Sequence, residues 1–270
     1  MTHSRRLDAV FAALMLAVAA LFLPRLFVGD SSFFRRTLDE RAVLVIGSLV
    51  KLACLFVAAL WAGRIVPHFE PGNPARPAWR LMQLGFGCYF VAQLTLSSLN
   101  LTLAKPPFPS PADALFLLAT GLLIASLALA VRVYVGEHPE GSPGLVLAPA
   151  CTALVVLAAF DYWLLRPIVH AEAPTPEIVA NVAYPVFDSV LLVLAVTLLR
   201  ITLHFRGGHI WRVWLTLLAG FVFLCVGDIA FAFLSTMGMS HLDPIMDVMF
   251  VWSYALLARG ILYQHELFAV

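Results

Sequence analysis

Among the ionisable side chains inside long apolar stretches of this 270-residue chain, six are candidates for chemistry: Lys51, Asp113, Asp161, Asp188, Asp228 and Asp247. In hydrocarbon each costs about 2.5–3.5 kcal/mol near a helix centre, so each calls for a partner or a use. Lys51 and Asp188 lie about 15 Å from the outer ends of their segments at 1.5 Å per residue. Their spacing predicts a midplane ion pair, serving either helix packing or a proton or ligand site. Asp113 and Asp247 begin their stretches, where the helix dipole and the free amides favour a capping carboxylate. Asp161 and Asp228 end theirs. There the dipole opposes a carboxylate, so both ask for a cation, a donor, water or a bound ligand.

Polar side chains also recur at helical spacing: Tyr89, Gln93, Ser97 and Asn100; Asn181, Tyr184 and Asp188; Asp243, Asp247 and Tyr254. Ligand-binding candidates are therefore Asp161, Asp188, Asp228, Tyr184, Gln93, Asn181 and Tyr254, around a polar cavity open to the outer side. Ordinary interhelical hydrogen bonding is the competing reading.

The elements that position these residues follow from composition. With 61% hydrophobic and 12% charged residues, against about a quarter charged in soluble domains, the expected class is all-α and polytopic, with the lipid bilayer as partner. Eight stretches approach the ~20 apolar residues needed to span a bilayer: Leu7–Val28, Ala42–Ala62, Leu81–Leu101, Ala112–Val133, Gly144–Leu165, Ile178–Leu199, Ile210–Phe233 and Pro244–Leu262. The first follows Arg5 and Arg6 but outruns a signal-peptide core, and it is read as a span. Short Pro- and Gly-rich connections leave no room for a soluble domain, so residues 1–270 form one integral membrane domain. With both termini inside, ten Lys or Arg fall on the cytoplasmic side and six outside, four of these in the first outer loop. Trp61, Trp79, Trp211 and Trp214 would then mark the inner interface.

WRLMQLGFGCYFVAQL (79–94) aligns with WRVWLTLLAGFVFLCV (211–226), and a two-residue shift sets Asp113 against Asp247. This suggests a parallel four-plus-four repeat with halves 1–136 and 137–270. Chance likeness between apolar helices is the alternative.

Other chemistries find little support. All eight histidines lie in connections or tails, which disfavours intramembrane haem or a histidine-box metal site, and no metal ligand set is expected. Cys54, Cys88, Cys151 and Cys225 sit in spans without CxxC spacing and read as small buried hydrophobes. Nothing beyond its lysine resembles a retinal protein, and the DxxxD at Asp243 and Asp247 lacks a companion acidic motif. No GxSxG, Walker A or HExxH motif occurs and no nucleophile has a base at fixed spacing, so no catalytic residue is assigned and an enzyme is unsupported; the loops supply no basic nucleic-acid face, and the sequence names no cofactor.

The segments PSPADALFLL (109–118), NVAYPVFDSVLLVLAV (181–196), GDIAFAF (227–233) and DPIMDVMFVWSYALLARG (243–260) resemble the multi-span membrane sensor regions of bacterial diguanylate cyclase and phosphodiesterase (GGDEF and EAL) proteins and of some histidine kinases. Matching residues are Pro109, Ser110, Asp113, Tyr184, Pro185, Asp188, Asp228, Asp247 and Tyr254. The resemblance implies a bacterial cytoplasmic (inner) membrane protein that senses a small ligand and signals to a cytoplasmic protein. The chain stops at Val270 without a GGDEF or kinase signature, so it implies a sensor region alone. The alternatives are a small secondary transporter using Lys51 and Asp188, and a lipid-modifying enzyme; monomer and homodimer are both open.

Overall fold

The computed structural model describes residues 3–26, 40–103, 106–137, 143–170, 174–205, 208–239 and 242–268. Arg35, Arg36, Lys105 and Arg206, which enter the charge asymmetry, lie outside the described residues. Eight α-helices occur among the described residues: α1 (His3–Phe22), α2 (Glu40–Ile65), α3 (Ala75–Thr102), α4 (Pro111–Glu137), α5 (Pro143–Val169), α6 (Thr175–Ile201), α7 (His209–Thr236) and α8 (Asp243–Glu266). No strand occurs among them. In lipid a helix is the one open-chain form that satisfies its own backbone, so apolar runs of this length have no other stable choice. Prolines set the starts: α4 and α5 begin on Pro111 and Pro143, and α6 and α8 carry Pro in their first two positions, where the missing amide costs nothing.

Six helices, α2, α3, α4, α6, α7 and α8, are long and apolar enough to cross a membrane. They form a closed circuit of packed neighbours in the order α2, α3, α4, α6, α7, α8 and back to α2. Each supplies a fully enclosed side chain to one core: Leu55, Phe86, Leu123, Leu191, Phe221 and Leu257. The order α2–α3–α4 recurs as α6–α7–α8. The remaining two helices depart from that pattern, since α1 packs mainly on α8 whereas α5 packs mainly on α6. The outer face of α5 leaves Tyr162 and Trp163 about three-quarters exposed, at 74% and 75%.

Two sequence expectations change here. Trp79 and Trp214 are buried, the latter edge-on to Tyr134 at 6.1 Å, so they are packing residues of the ring and not interface anchors. Cys151 is exposed on α5, while Cys54 and Cys225 are buried.

Close helix approach depends on glycine at the α7–α8 contact. A Cβ on Gly220 would lie 2.7 Å from Leu257 Cγ, and one on Gly260 would lie 2.7 Å from Leu217 Cδ2. Without a hydrophobic drive between helices in lipid, such small-residue contacts supply much of the packing energy. Gly220→Ala should therefore cost about 1–3 kcal/mol through overpacking. Gly87→Ala, where a Cβ meets nothing within 4 Å, should be neutral or stabilising. Thermal unfolding in detergent checks the contrast, and equal effects would remove the close-packing account.

Candidate functional site: a polar cavity at one end of the ring

Core side chains do not fill the ring along its whole length. At the end where α4 and α8 begin, a partly open cavity of about 390 Å³ remains, lined from all six ring helices and from the connection Pro106–Phe108. Its polar lining comprises Lys51 (α2), Tyr89, Gln93 and Asn100 (α3), Ser110 and Asp113 at the start of α4, Tyr184 (α6), Asp228 (α7), and Asp243, Asp247 and Tyr254 (α8).

Lys51 Nζ donates to Asp247 Oδ1 at 2.5 Å. This corrects both the expected pair of Lys51 with Asp188 and the capping role expected of Asp247. Ring order is the reason: α2 packs against α3 and α8, while α6 lies across the ring. A lysine on α2 thus reaches the neighbouring helix, its long stem carrying the ammonium toward the mouth. Asp247 lies one turn inside α8, whose N-cap residue Leu242 makes no side-chain capping bond.

Asp188 is buried and meets a different group, the Asp228 carboxyl. The dipole argument that singled out Asp228 does not hold, because α7 continues to Thr236 and the dipole is felt only within about the last turn. The same applies to Asp161, since α5 continues to Val169; its side chain lies outside the described residues, and α5 contributes none of the lining.

Asp113 sits in the first turn of α4 and reaches back to the residue before it. Its Oδ2 accepts from the Ser110 amide at 2.6 Å and from Ser110 Oγ at 2.8 Å, while its own amide donates to the Ser110 carbonyl at 3.0 Å. That reciprocal arrangement is a variant of the capping box. Oδ1 remains available to the cavity wall and accepts from Tyr184 Oη at 2.8 Å, tying α4 to α6.

The floor is aromatic. Tyr89 and Tyr254 meet edge-on at 6.1 Å, Phe250 stacks on Tyr254 at 6.4 Å, and Tyr89 Oη hydrogen-bonds Thr120 Oγ1 at 2.6 Å. Gln93 donates to Ser97 Oγ at 3.1 Å. Asn181 is 2% exposed on the α6 face that carries Tyr184, and its Oδ1 has no hydrogen-bond partner. One turn on, Pro185 lacks the amide that would bond the Asn181 carbonyl, so α6 is locally weakened beside the cavity.

Sequence reasoning missed Phe108, Phe231, Met246 and Phe250 as lining residues. Apolar residues in apolar helices give no signal, although the proline run before Phe108 marks a rigid connection. It also missed a second polar centre at the opposite end. There Arg259, buried in α8, pairs with Asp8 of α1 at 2.7 Å and with Glu266 at 2.8 Å, reaches Ser4, and lies 3.6 Å over the Tyr263 ring. An arginine inside an apolar run was the available clue. Among the described residues no three of His, Cys, Asp and Glu converge as metal ligands.

Breaking a fully buried ion pair by removing one partner costs about 3–5 kcal/mol. The Asp247 side chain is 39% exposed against 12% for Lys51, so Lys51→Met should cost less, about 1–3 kcal/mol. Adding Asp247→Leu should recover part of that loss in detergent thermal unfolding, whereas adding Asp188→Leu should not. Recovery with Asp188→Leu alone would overturn the pairing. Comparison with protein-family models, curated proteins and solved structures finds no match to this chain.

Proposed function

We propose that this chain is an integral membrane sensory or ligand-binding module. Its cavity opens to the outer side, and helix shifts pass occupancy to a cytoplasmic signalling partner. The observation that carries the reading is convergence. Of the residues that match the bacterial sensor-region pattern, Ser110, Asp113, Tyr184, Asp228, Asp247 and Tyr254 all line one cavity, and Asp188 meets Asp228 behind it. Residues scattered over 145 positions of sequence have no packing reason to meet in a space that the core leaves unfilled. Orientation is supported by Arg64, Arg76, Arg80, Arg132 and Arg200, which fall toward the helix ends opposite the cavity, as in a chain with both termini cytoplasmic. The recurring triplets α2–α3–α4 and α6–α7–α8 support an ancestral duplication, with α1 and α5 as its less regular members.

A second reading, a small proton- or cation-coupled transporter, draws on the two neighbouring buried carboxyls of Asp188 and Asp228. Access separates the two. With Cys151 replaced by serine, Phe108→Cys should react with a membrane-impermeant maleimide added to intact cells. Gln93→Cys should be labelled from that side only. Labelling of Gln93→Cys also in inverted vesicles would favour the transporter, and labelling of Phe108→Cys only there would reverse the orientation. Filling the cavity with Leu96→Trp should shift the distance between spin labels at Arg64 and Arg132. An unchanged distance would sink the coupling.

A further inference from the structure

We infer that the cavity takes a small organic cation, an ammonium group carrying an apolar or aromatic substituent; this rests on the ligand-binding reading above. The first argument is the charge of the wall. Among the described residues that line the space, Asp113, Asp228 and Asp247 face one cation, Lys51, and that cation is already bound to Asp247. The hydrogen bonds drawn to Asp113 come from Ser110 and Tyr184, neutral donors, and the partner of Asp228 is another carboxyl. Carboxyl oxygens in a low-dielectric recess attract positive charge far more strongly than they would in water.

The second argument is independent of the carboxyls. Asn181 Oδ1, 98% shielded by an exposure of 2% and on the cavity face of α6, is an acceptor without a donor. Buried polar atoms are nearly always partnered, so an orphan acceptor one turn from the lining residue Tyr184 leaves a hydrogen-bonding site open next to the cavity wall.

Aromatic rings supply the rest of the recognition. The protein already holds one ammonium in this way: Lys51 Nζ sits 5.6 Å from the Phe250 ring centroid while bonded to Asp247. Tyr89 and Tyr254 continue that wall toward Asp228, and Phe108 meets Phe231 at 5.4 Å. A ring face beside a carboxylate suits an ammonium with an apolar body. At about 390 Å³ the space is near the small end of ligand pockets, which run from about 300 to 1,000 Å³. An anion fits poorly, because at the start of α4 the Ser110 amide is met by Asp113 Oδ2, the Asp113 amide by the Ser110 carbonyl, and Pro111 has no amide to offer.

The ammonium could arrive as a soluble amine or as an ethanolamine headgroup, and the test separates these. The full chain in neutral maltoside detergent is titrated calorimetrically with phenethylammonium, phenylacetate, 2-phenylethanol and short-chain phosphatidylethanolamine. Phenethylammonium should bind at least about tenfold more tightly than the anion or the alcohol. Asp228→Asn should weaken it by about tenfold or more, the scale of a lost charge-assisted hydrogen bond, and Asp228→Glu should retain more of the affinity. Preference for the phosphatidylethanolamine over phenethylammonium assigns the headgroup as the source. Equal or tighter binding of phenylacetate or 2-phenylethanol would overturn the cation assignment while leaving a ligand-binding cavity. Silence from all four probes would overturn it as well, and the labelling pattern above then decides separately whether the sensory reading survives. The wild-type series needs no variant to fold.

Discussion

The ion pair between Lys51 and Asp247 joins the first and last helices of the ring, and much of the remaining arrangement depends on that closure. Lipid tails are as apolar as leucine, so helices in a membrane gain nothing from hiding hydrophobic surface from one another. Their order must be fixed by polar contacts and by shapes that fit. Lys51 selects α8 as the neighbour of α2, Asp113 and Tyr184 tie α4 to α6, and Gly220 and Gly260 let α7 and α8 approach closely. Six helices joined in this way enclose a centre that something must occupy. Large apolar side chains such as Leu55, Phe86 and Leu257 fill one length of it. Toward the starts of α4 and α8 the inward positions are carboxyl, amide and tyrosine, and the space stays open.

The ring has a polar centre near each end, and α8 belongs to both. Asp247 meets Lys51 near its start, while Arg259 near its finish gathers Asp8, Glu266 and Ser4. Most of the length between them is buried. α8 thus joins both polar centres through its own side chains. Pro185 leaves α6 a helix interrupted beside the cavity.

Helix content and placement were legible because their signal is additive: every apolar residue in a stretch argues the same way, and an α-helix falls in each of the eight apolar stretches, six of them long and apolar enough to cross a membrane. Inward-facing polar stripes were legible for the same reason. Tyr89, Gln93, Tyr184, Asp228 and Tyr254 needed no knowledge of neighbours to be read as facing protein. Partners were not legible. Depth alone made Asp188 the natural mate of Lys51, but depth is one coordinate and pairing needs the order of helices around the ring, which no periodicity encodes. The dipole argument for Asp161 and Asp228 failed on helix ends, because α5 and α7 run on past the apolar stretch by about a turn. Phe231 and Phe250 were invisible as wall residues, since an aromatic ring facing lipid and one facing a cavity are spelled alike.

The contact between Arg259 and Asp8 spans 251 positions of sequence, and its cost falls on the growing chain. Helices emerge from the ribosome in order, so Asp8 is made long before the arginine that binds it, and α1 gains its main packing partner only when the last helix arrives. The same holds for Lys51 and Asp247, separated by 196 positions. Assembly of this bundle therefore cannot proceed as a steady accretion of finished helices. The docking of α1 and the closure of the ring both depend on α8, and a chain cut short before Asp247 would leave both early charges without these partners.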